Sequence, residues 1–124
     1  MSARLGIDFG TSNTVVAVWD SARGEGTPLA VPGYGRLVWM GKEALSLIPS
    51  LVHLAPGRRR WIGEQVLEQN LVESPRTFRW MKRFISHRSA SRIKVDGRDV
   101  SHADAGQEFL SAVLRAALSW YSEG

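Results

Sequence analysis

Apolar side chains crowd two short runs near the start of the chain, residues 3 to 9 and 14 to 20, where β-branched and other hydrophobic residues are almost uninterrupted. Such runs suit two central strands of a sheet covered on both faces, joined here by a turn at Gly10. Ser21 to Gly26 reads as a loop. Thr27 to Val31 reads as a third strand of the same sheet, ended by Pro32-Gly33-Tyr34-Gly35, where breakers follow one another too closely for regular structure. From Leu37 to Ile48, Trp39, Met40 and Leu45 mix with Gly41 and Lys42, and no period emerges. Pro49 to Leu54 reads as another strand and Ala55-Pro56-Gly57 as a turn.

The helical period appears later. Gly63 to Asn70 predicts a short helix, with Val66 and Leu67 apolar among Glu64, Gln65, Glu68 and Gln69. A second is predicted from Thr77 to Ile85, with Phe78, Met81, Phe84 and Ile85 on one side. Ile93 to Val100 predicts a hairpin turning at Asp96-Gly97, the dipeptide suited to a two-residue loop with φ > 0. The clearest helix is the last. Ser101 and Asp104 approximate a capping box, and Phe109, Leu110, Val113, Leu114, Ala117, Leu118 and Tyr121 recur at spacings of three and four.

Composition narrows the class without naming a function. The 124 residues are 44% hydrophobic and 23% charged, which fits one globular domain, or a piece of a larger one, and excludes wholesale disorder. Sixteen Lys and Arg against twelve Asp and Glu give a formal +4, an excess that favours anionic ligands without demanding a polyanion. With no Cys there is neither a disulfide framework nor a thiolate metal site. His53, His87 and His102 lack metal-ligand spacing. No segment has the length of a membrane span, and Asp8 interrupts any apolar signal core after Arg4, so the expectation is a cytoplasmic protein.

Candidate chemistry sits in the first turn. Asp8-Phe9-Gly10-Thr11-Ser12-Asn13-Thr14 sets an acidic residue at the end of one strand, then Gly, two hydroxyls and an Asn side chain before the next. Phosphate needs close backbone approach and convergent donors, and Gly10, Thr11, Ser12 and Asn13 supply both. Asp-x-Gly at a hairpin is also ordinary turn chemistry; the flanking strands and the Thr-Ser-Asn sequel favour the phosphate reading. Arg58-Arg59-Arg60, with Arg76, Arg79, Arg83, Arg88, Arg92 and Lys94, raises a basic nucleic-acid surface as an alternative. No stacking signature accompanies these charges, and a solvated basic face explains them as well.

The opening hairpin resembles the first phosphate motif of the actin, sugar kinase and heat-shock ATPase superfamily. Three further segments, in the same order, resemble the seventy-kilodalton heat-shock chaperones of the DnaK type. These are Pro49-Ser50-Leu51-Val52, Ile62-Gly63-Glu64-Gln65-Val66-Leu67-Glu68-Gln69, and Phe78-Arg79-Trp80-Met81-Lys82-Arg83-Phe84-Ile85. The resemblance implies an α/β fold, one lobe of the actin-like ATPase with a ribonuclease H-like sheet. Residues 1–36 and 101–124 would form the sheet-plus-helix subdomain, and residues 37–100 an inserted small subdomain. It implies ATP or ADP with Mg²⁺ as cofactor, and Gly10, Thr11, Ser12 and Asn13 as phosphate contacts. Asp8 would act on Mg²⁺ through water, and Lys82 would be catalytic at the γ-phosphate. Alone, Lys82 reads as a solvated helix residue.

By the same resemblance the second phosphate loop, the general base and the adenosine motif lie beyond Gly124. The expectation is therefore the N-terminal part of a nucleotide-binding domain, without measurable ATPase as an isolated fragment. Its expected partners are a second lobe of the same domain and, in a chaperone, co-chaperones or client proteins. Self-association of the fragment through apolar surface is also expected, and no membrane is. The alternatives are a non-catalytic protein-interaction module of the same fold and the basic nucleic-acid-binding domain.

Overall fold

The computed structural model describes residues 4–84 and 92–123 and mixes sheet with helix. Three strands open the chain: β1 (Arg4–Phe9), β2 (Asn13–Asp20) and β3 (Glu25–Pro28). β1 and β2 form the expected antiparallel hairpin, registered from Phe9↔Thr14 to Arg4↔Trp19. Alternation in β1 turns Leu5, Ile7 and Phe9 toward the core and leaves Arg4, Gly6 and Asp8 exposed on the other face. The expectation that β1 is a central strand covered on both sides is corrected: among the described residues it lies at the edge of its sheet, in the order β1-β2-β5-β4.

The unassigned stretch after Leu37 is a β-hairpin. β4 (Arg36–Met40) and β5 (Glu43–Pro49) turn at Gly41-Lys42, where Gly41 has φ 67°. Its signal is masked because Leu37 and Trp39, on one face of the strand, are 63% and 69% exposed, so apolar residues stand where alternation expects polar ones. β5 joins β2 at Asn13↔Pro49 and Thr14↔Ile48, and β3 pairs with the far end of β2, from Ala17↔Pro28 to Asp20↔Glu25. Residues 37–49 are thus hydrogen-bonded into the N-terminal sheet. The third strand ends at Pro28 rather than Val31.

The strand expected over residues 49–54 is divided. β5 ends at Pro49, and β6 (Val52–Leu54) begins a second sheet with β7 (Arg60–Ile62) and β8 (Thr77–Phe78), in the order β7-β6-β8. The first predicted helix is α1 (Glu64–Glu68). The second is shorter than its apolar spacing suggests. Thr77 and Phe78 pair as a strand with His53 and Val52, and Trp80 takes a left-handed φ of 57°, so α2 spans only Met81–Phe84. Ile85, His87 and Arg88 lie outside the described residues.

β9 (Ile93–Val95) and β10 (Arg98–Val100) turn at Asp96 (φ 50°) and Gly97 (φ 80°), the paired left-handed residues that the dipeptide predicts. α3 (His102–Glu123) closes the chain. Its capping box is formed: the Asp104 amide donates to Ser101 Oγ at 3.1 Å, and the Ser101 amide donates to the Asp104 carboxylate at 3.0 Å. Ala105, Phe109, Val113 and Ala117 recur every four residues and are fully buried, sharing one core with Val16, Ile48, Val52, Phe78 and Met81. Among the described residues, no helix is long and apolar enough to cross a membrane.

Candidate functional site

Gly10 to Asn13 form the tip of the β1–β2 hairpin, and the tip is closed by its own backbone. The Gly10 amide donates to the Asn13 carbonyl at 2.9 Å. A Cβ on Gly10 would stand 2.4 Å from that carbonyl oxygen, so the turn itself excludes every other residue. Glycine here serves closure of the loop, a reason independent of any ligand.

A residue from β5's end ties the turn down from beneath. The Ser50 amide donates to the Ser12 carbonyl at 2.9 Å, and Ser50 Oγ donates to the Gly10 carbonyl at 2.9 Å. Thr14 Oγ1 lies 2.8 Å from Ser50 Oγ; since the Ser50 proton is already committed, Thr14 is the donor. Thr14 and Ser50 are both fully buried. The carbonyls of Gly10, Ser12 and Asn13 are therefore engaged within the protein. The Thr11 and Ser12 amides, by contrast, make no hydrogen bond among the described residues, and the Ser12 and Asn13 side chains are exposed.

This sorting matters chemically. Carbonyl oxygens repel an anion and amides attract it; here the Gly10, Ser12 and Asn13 carbonyls are occupied, and the Thr11 and Ser12 amides are the groups of the turn suited to an anion. Ser50 is the position holding the turn that residue patterns missed. Pro49-Ser50 was visible as a motif, yet nothing local signalled that the hydroxyl reaches across to the Gly10 turn.

Asp8 and Lys82 are placed separately. Asp8 pairs with Val15 across the hairpin and is exposed on the sheet face away from Phe9. Lys82 is exposed on α2 and makes no hydrogen bond or ion pair among the described residues, so nothing joins it to Asp8 or the turn. What links the two regions is α3. The ring of Phe9 lies 5.9 Å from that of Phe109, while Phe78 and Phe84 lie 5.3 and 5.2 Å from the imidazole of His102. Phe109 and His102 are seven residues apart, about 10 Å along the helix axis. No group of three or more His, Asp or Glu side chains among the described residues is arranged to hold a metal ion.

Two histidines are structural pins. The Thr77 hydroxyl donates to the Leu71 carbonyl, so the 2.8 Å contact with His53 must be donated by His53 Nδ1. Burial pushes the His53 imidazole below its ordinary value of 6.5, and Arg76 adds to the shift. His102, edge-on to Phe78, is pushed down by burial alone, and its Nδ1 is buried without a hydrogen-bond partner.

No protein-family model matches the chain. Among curated proteins, 88 residues, 71% of the chain, are 31% identical to the chaperone protein dnaK of Gracilaria tenuistipitata var. liui. The match covers 12% of the length of that chaperone. The chain is thus related, at the level of weak sequence similarity, to the Hsp70 chaperones.

Proposed function

We propose that the chain is the ATP-binding lobe of a DnaK-like ATPase, with an actin-like fold, and that the Gly10–Asn13 turn holds the nucleotide phosphates. The observation that carries this reading is the division of polar groups at the turn: three carbonyls satisfied from within, and two amides with the Ser12 and Asn13 side chains left to the outside. That donor set fits phosphate oxygens. Asp8, one carboxylate at the turn's entry, fits an outer-sphere role toward Mg²⁺, which keeps most of its waters when bound beside phosphates. When bound, Mg²⁺ supplies charge neutralisation to the phosphates. The role of Lys82 at the γ-phosphate rests on the resemblance of its segment to the chaperones, together with the anchoring of α2 on α3.

Titration calorimetry with a non-hydrolysable ATP analogue and Mg²⁺ tests the reading. Weak, saturable binding that is lost on adding EDTA is the expected outcome; no heat at millimolar analogue removes the nucleotide reading in favour of an interaction module. The 124 residues alone are expected to turn over no ATP, because phosphoryl transfer needs donors and a base on both sides of the nucleotide. Turnover abolished by Lys82→Ala would overturn that expectation. Leu37 and Trp39 on β4, with Leu114 and Leu118 on α3, are exposed apolar side chains, and self-association through them is the expected behaviour at high concentration.

A further inference from the structure

β4 ends its sheet with no strand on its outer side among the described residues, and the direction of its backbone groups follows from bonds deeper in the sheet. The Ser50 amide donates to the Ser12 carbonyl at 2.9 Å, in register with Thr14↔Ile48, so the peptide groups of Ile48 and Ser50 face β2. Alternation along β5 then turns Glu43, Leu45 and Leu47 toward β4, where Met40, Val38 and Arg36 face them. The two-residue turn at Gly41-Lys42 gives the same parity, because Met40 and Glu43 are its closing pair. Leu37 and Trp39 are left with N–H and C=O pointing off the sheet, and no loop takes them up among the described residues.

The side chains of the same two residues are the most exposed large apolar groups among the described residues, Leu37 by 63% and Trp39 by 69%. They stand opposite Ser46 and Ala44, on the face of β5 that carries the buried Ile48. The core-facing surface of the sheet thus runs on, uncovered, to its last strand. The opposite edge differs. In β1, Leu5, Ile7 and Phe9 already pack on the core, and Arg4 and Asp8 stand exposed among them. β4 carries no proline and, apart from Arg36 at its start, none of the charges that blunt a free edge.

A second copy of the chain fits this edge in one register. A two-fold axis through Val38 sets Leu37 of each copy opposite Trp39 of the other, as the hydrogen-bonded pairs of a new antiparallel ladder, so the outward N–H and C=O of both residues are satisfied. Each Leu37 then lies beside the other copy's Trp39 on one face, the aliphatic–aromatic pairing that stabilises sheets. A shift of one residue would set outward groups against inward ones; a shift of two would carry one outward residue past the end of the other strand. Arg36 falls opposite Met40, about 13 Å along the strand from the other Arg36, so no like charges meet. Two strands of five residues bury less than about 1,200 Å² in total, the size of a transient contact, so the Kd is on the order of 100 μM.

We propose that two copies of this chain join through β4, antiparallel about a two-fold axis at Val38, into one continuous sheet. Strand addition draws affinity from main-chain hydrogen bonds and specificity from side chains at alternate positions, here Leu37 and Trp39. The contact gives a partner and a register to the self-association expected above, on which it rests, and needs no part of the nucleotide reading.

Sedimentation equilibrium of the full 124-residue chain, between about 10 and about 500 μM, should show a monomer–dimer equilibrium. Leu37→Glu with Trp39→Glu should weaken it at least about tenfold, whereas Leu114→Gln with Leu118→Gln should leave it unchanged. The chain has no Cys, so single introduced thiols report the register. Val38→Cys sets two sulfurs across a non-hydrogen-bonded pair, about 4.5 Å between Cα atoms and within disulfide reach; Lys42→Cys, in the exposed turn, lies more than about 20 Å from its counterpart. Air oxidation with copper-phenanthroline should couple the Val38→Cys chain at least about tenfold faster than the Lys42→Cys chain. A monomer at the highest concentration overturns the proposal, as does equal coupling of the two thiols. Association that survives Leu37→Glu with Trp39→Glu and is lost with Leu114→Gln and Leu118→Gln keeps self-association and removes the β4 contact. Should the Leu37→Glu, Trp39→Glu variant fail to fold by circular dichroism, the two thiol variants decide the matter.

Discussion

The Gly10 turn and the Lys82 segment are held in different ways. The turn is fixed by backbone closure and by one buried serine, with each engaged group bonded at 2.8–2.9 Å. Lys82 rides on a single turn of helix, entered through a left-handed Trp80 and pinned by apolar contacts of Phe78 and Phe84 on His102. Hydrogen-bonded closure admits one geometry, whereas aromatic contacts tolerate small displacements. A left-handed tryptophan is a strained conformation, costing on the order of 1–3 kcal/mol, and persists only while its surroundings enforce it. The comparison teaches that the Gly10 turn is held to one geometry by hydrogen-bonded closure, whereas the Lys82 segment is held by packing alone.

The sharpest way to break the contrast is Gly10→Ala. Its Cβ meets the Asn13 carbonyl at 2.4 Å, and the expected loss is about 3 kcal/mol in urea unfolding, with loss of any ATP-analogue binding. Ser50→Ala comes next. It strips the Gly10 carbonyl and the Thr14 hydroxyl of their buried partner, and a loss of about 2 kcal/mol is expected, with the midpoint shifted and the slope unchanged. A loss within error for Ser50→Ala would show that the hydroxyl chain does not secure the turn.

Acid probes the other side. His53 and His102 both have folded values pushed below 6.5, so the unfolded chain binds protons first as the pH falls. Stability is therefore full above 6.5 and declines progressively below it, until the pH has passed the lowered folded values. Hydrogen exchange at pH 7 and pH 5 should show α2 and the start of α3 losing protection, with the Gly10 turn changing least. Uniform loss across the chain would contradict two separately held regions. Lys82→Ala should have the smallest effect, under about 0.5 kcal/mol, since the side chain is exposed and partnerless among the described residues; thermal melting measures it.

Much of this architecture is legible in the residues, and the failures are physical. The β1–β2 hairpin, the Asp96-Gly97 turn and the capped α3 are each specified by contacts within a few residues of one another. The β4–β5 hairpin is hidden because Leu37 and Trp39 face solvent, which reverses the alternation that marks a strand. α2 is overestimated because Phe78 and Met81 share a helical spacing while lying on either side of a strand-to-helix corner. At the site, the Asp8–Asn13 turn declares itself through Gly, hydroxyls and amide. Ser50 does not, since its meaning depends on residues 36 and 40 positions away.

That separation has a kinetic consequence. A hairpin of residues 4–20 closes a short loop and can form within microseconds, but the clamp on its tip waits for residue 50 to arrive, across a much larger loop. The Gly10 turn then acquires its final shape later than the hairpin that carries it. A nascent chain holds β1 and β2 well before it holds the clamped Gly10 turn, which comes into being only once the β4–β5 hairpin has docked.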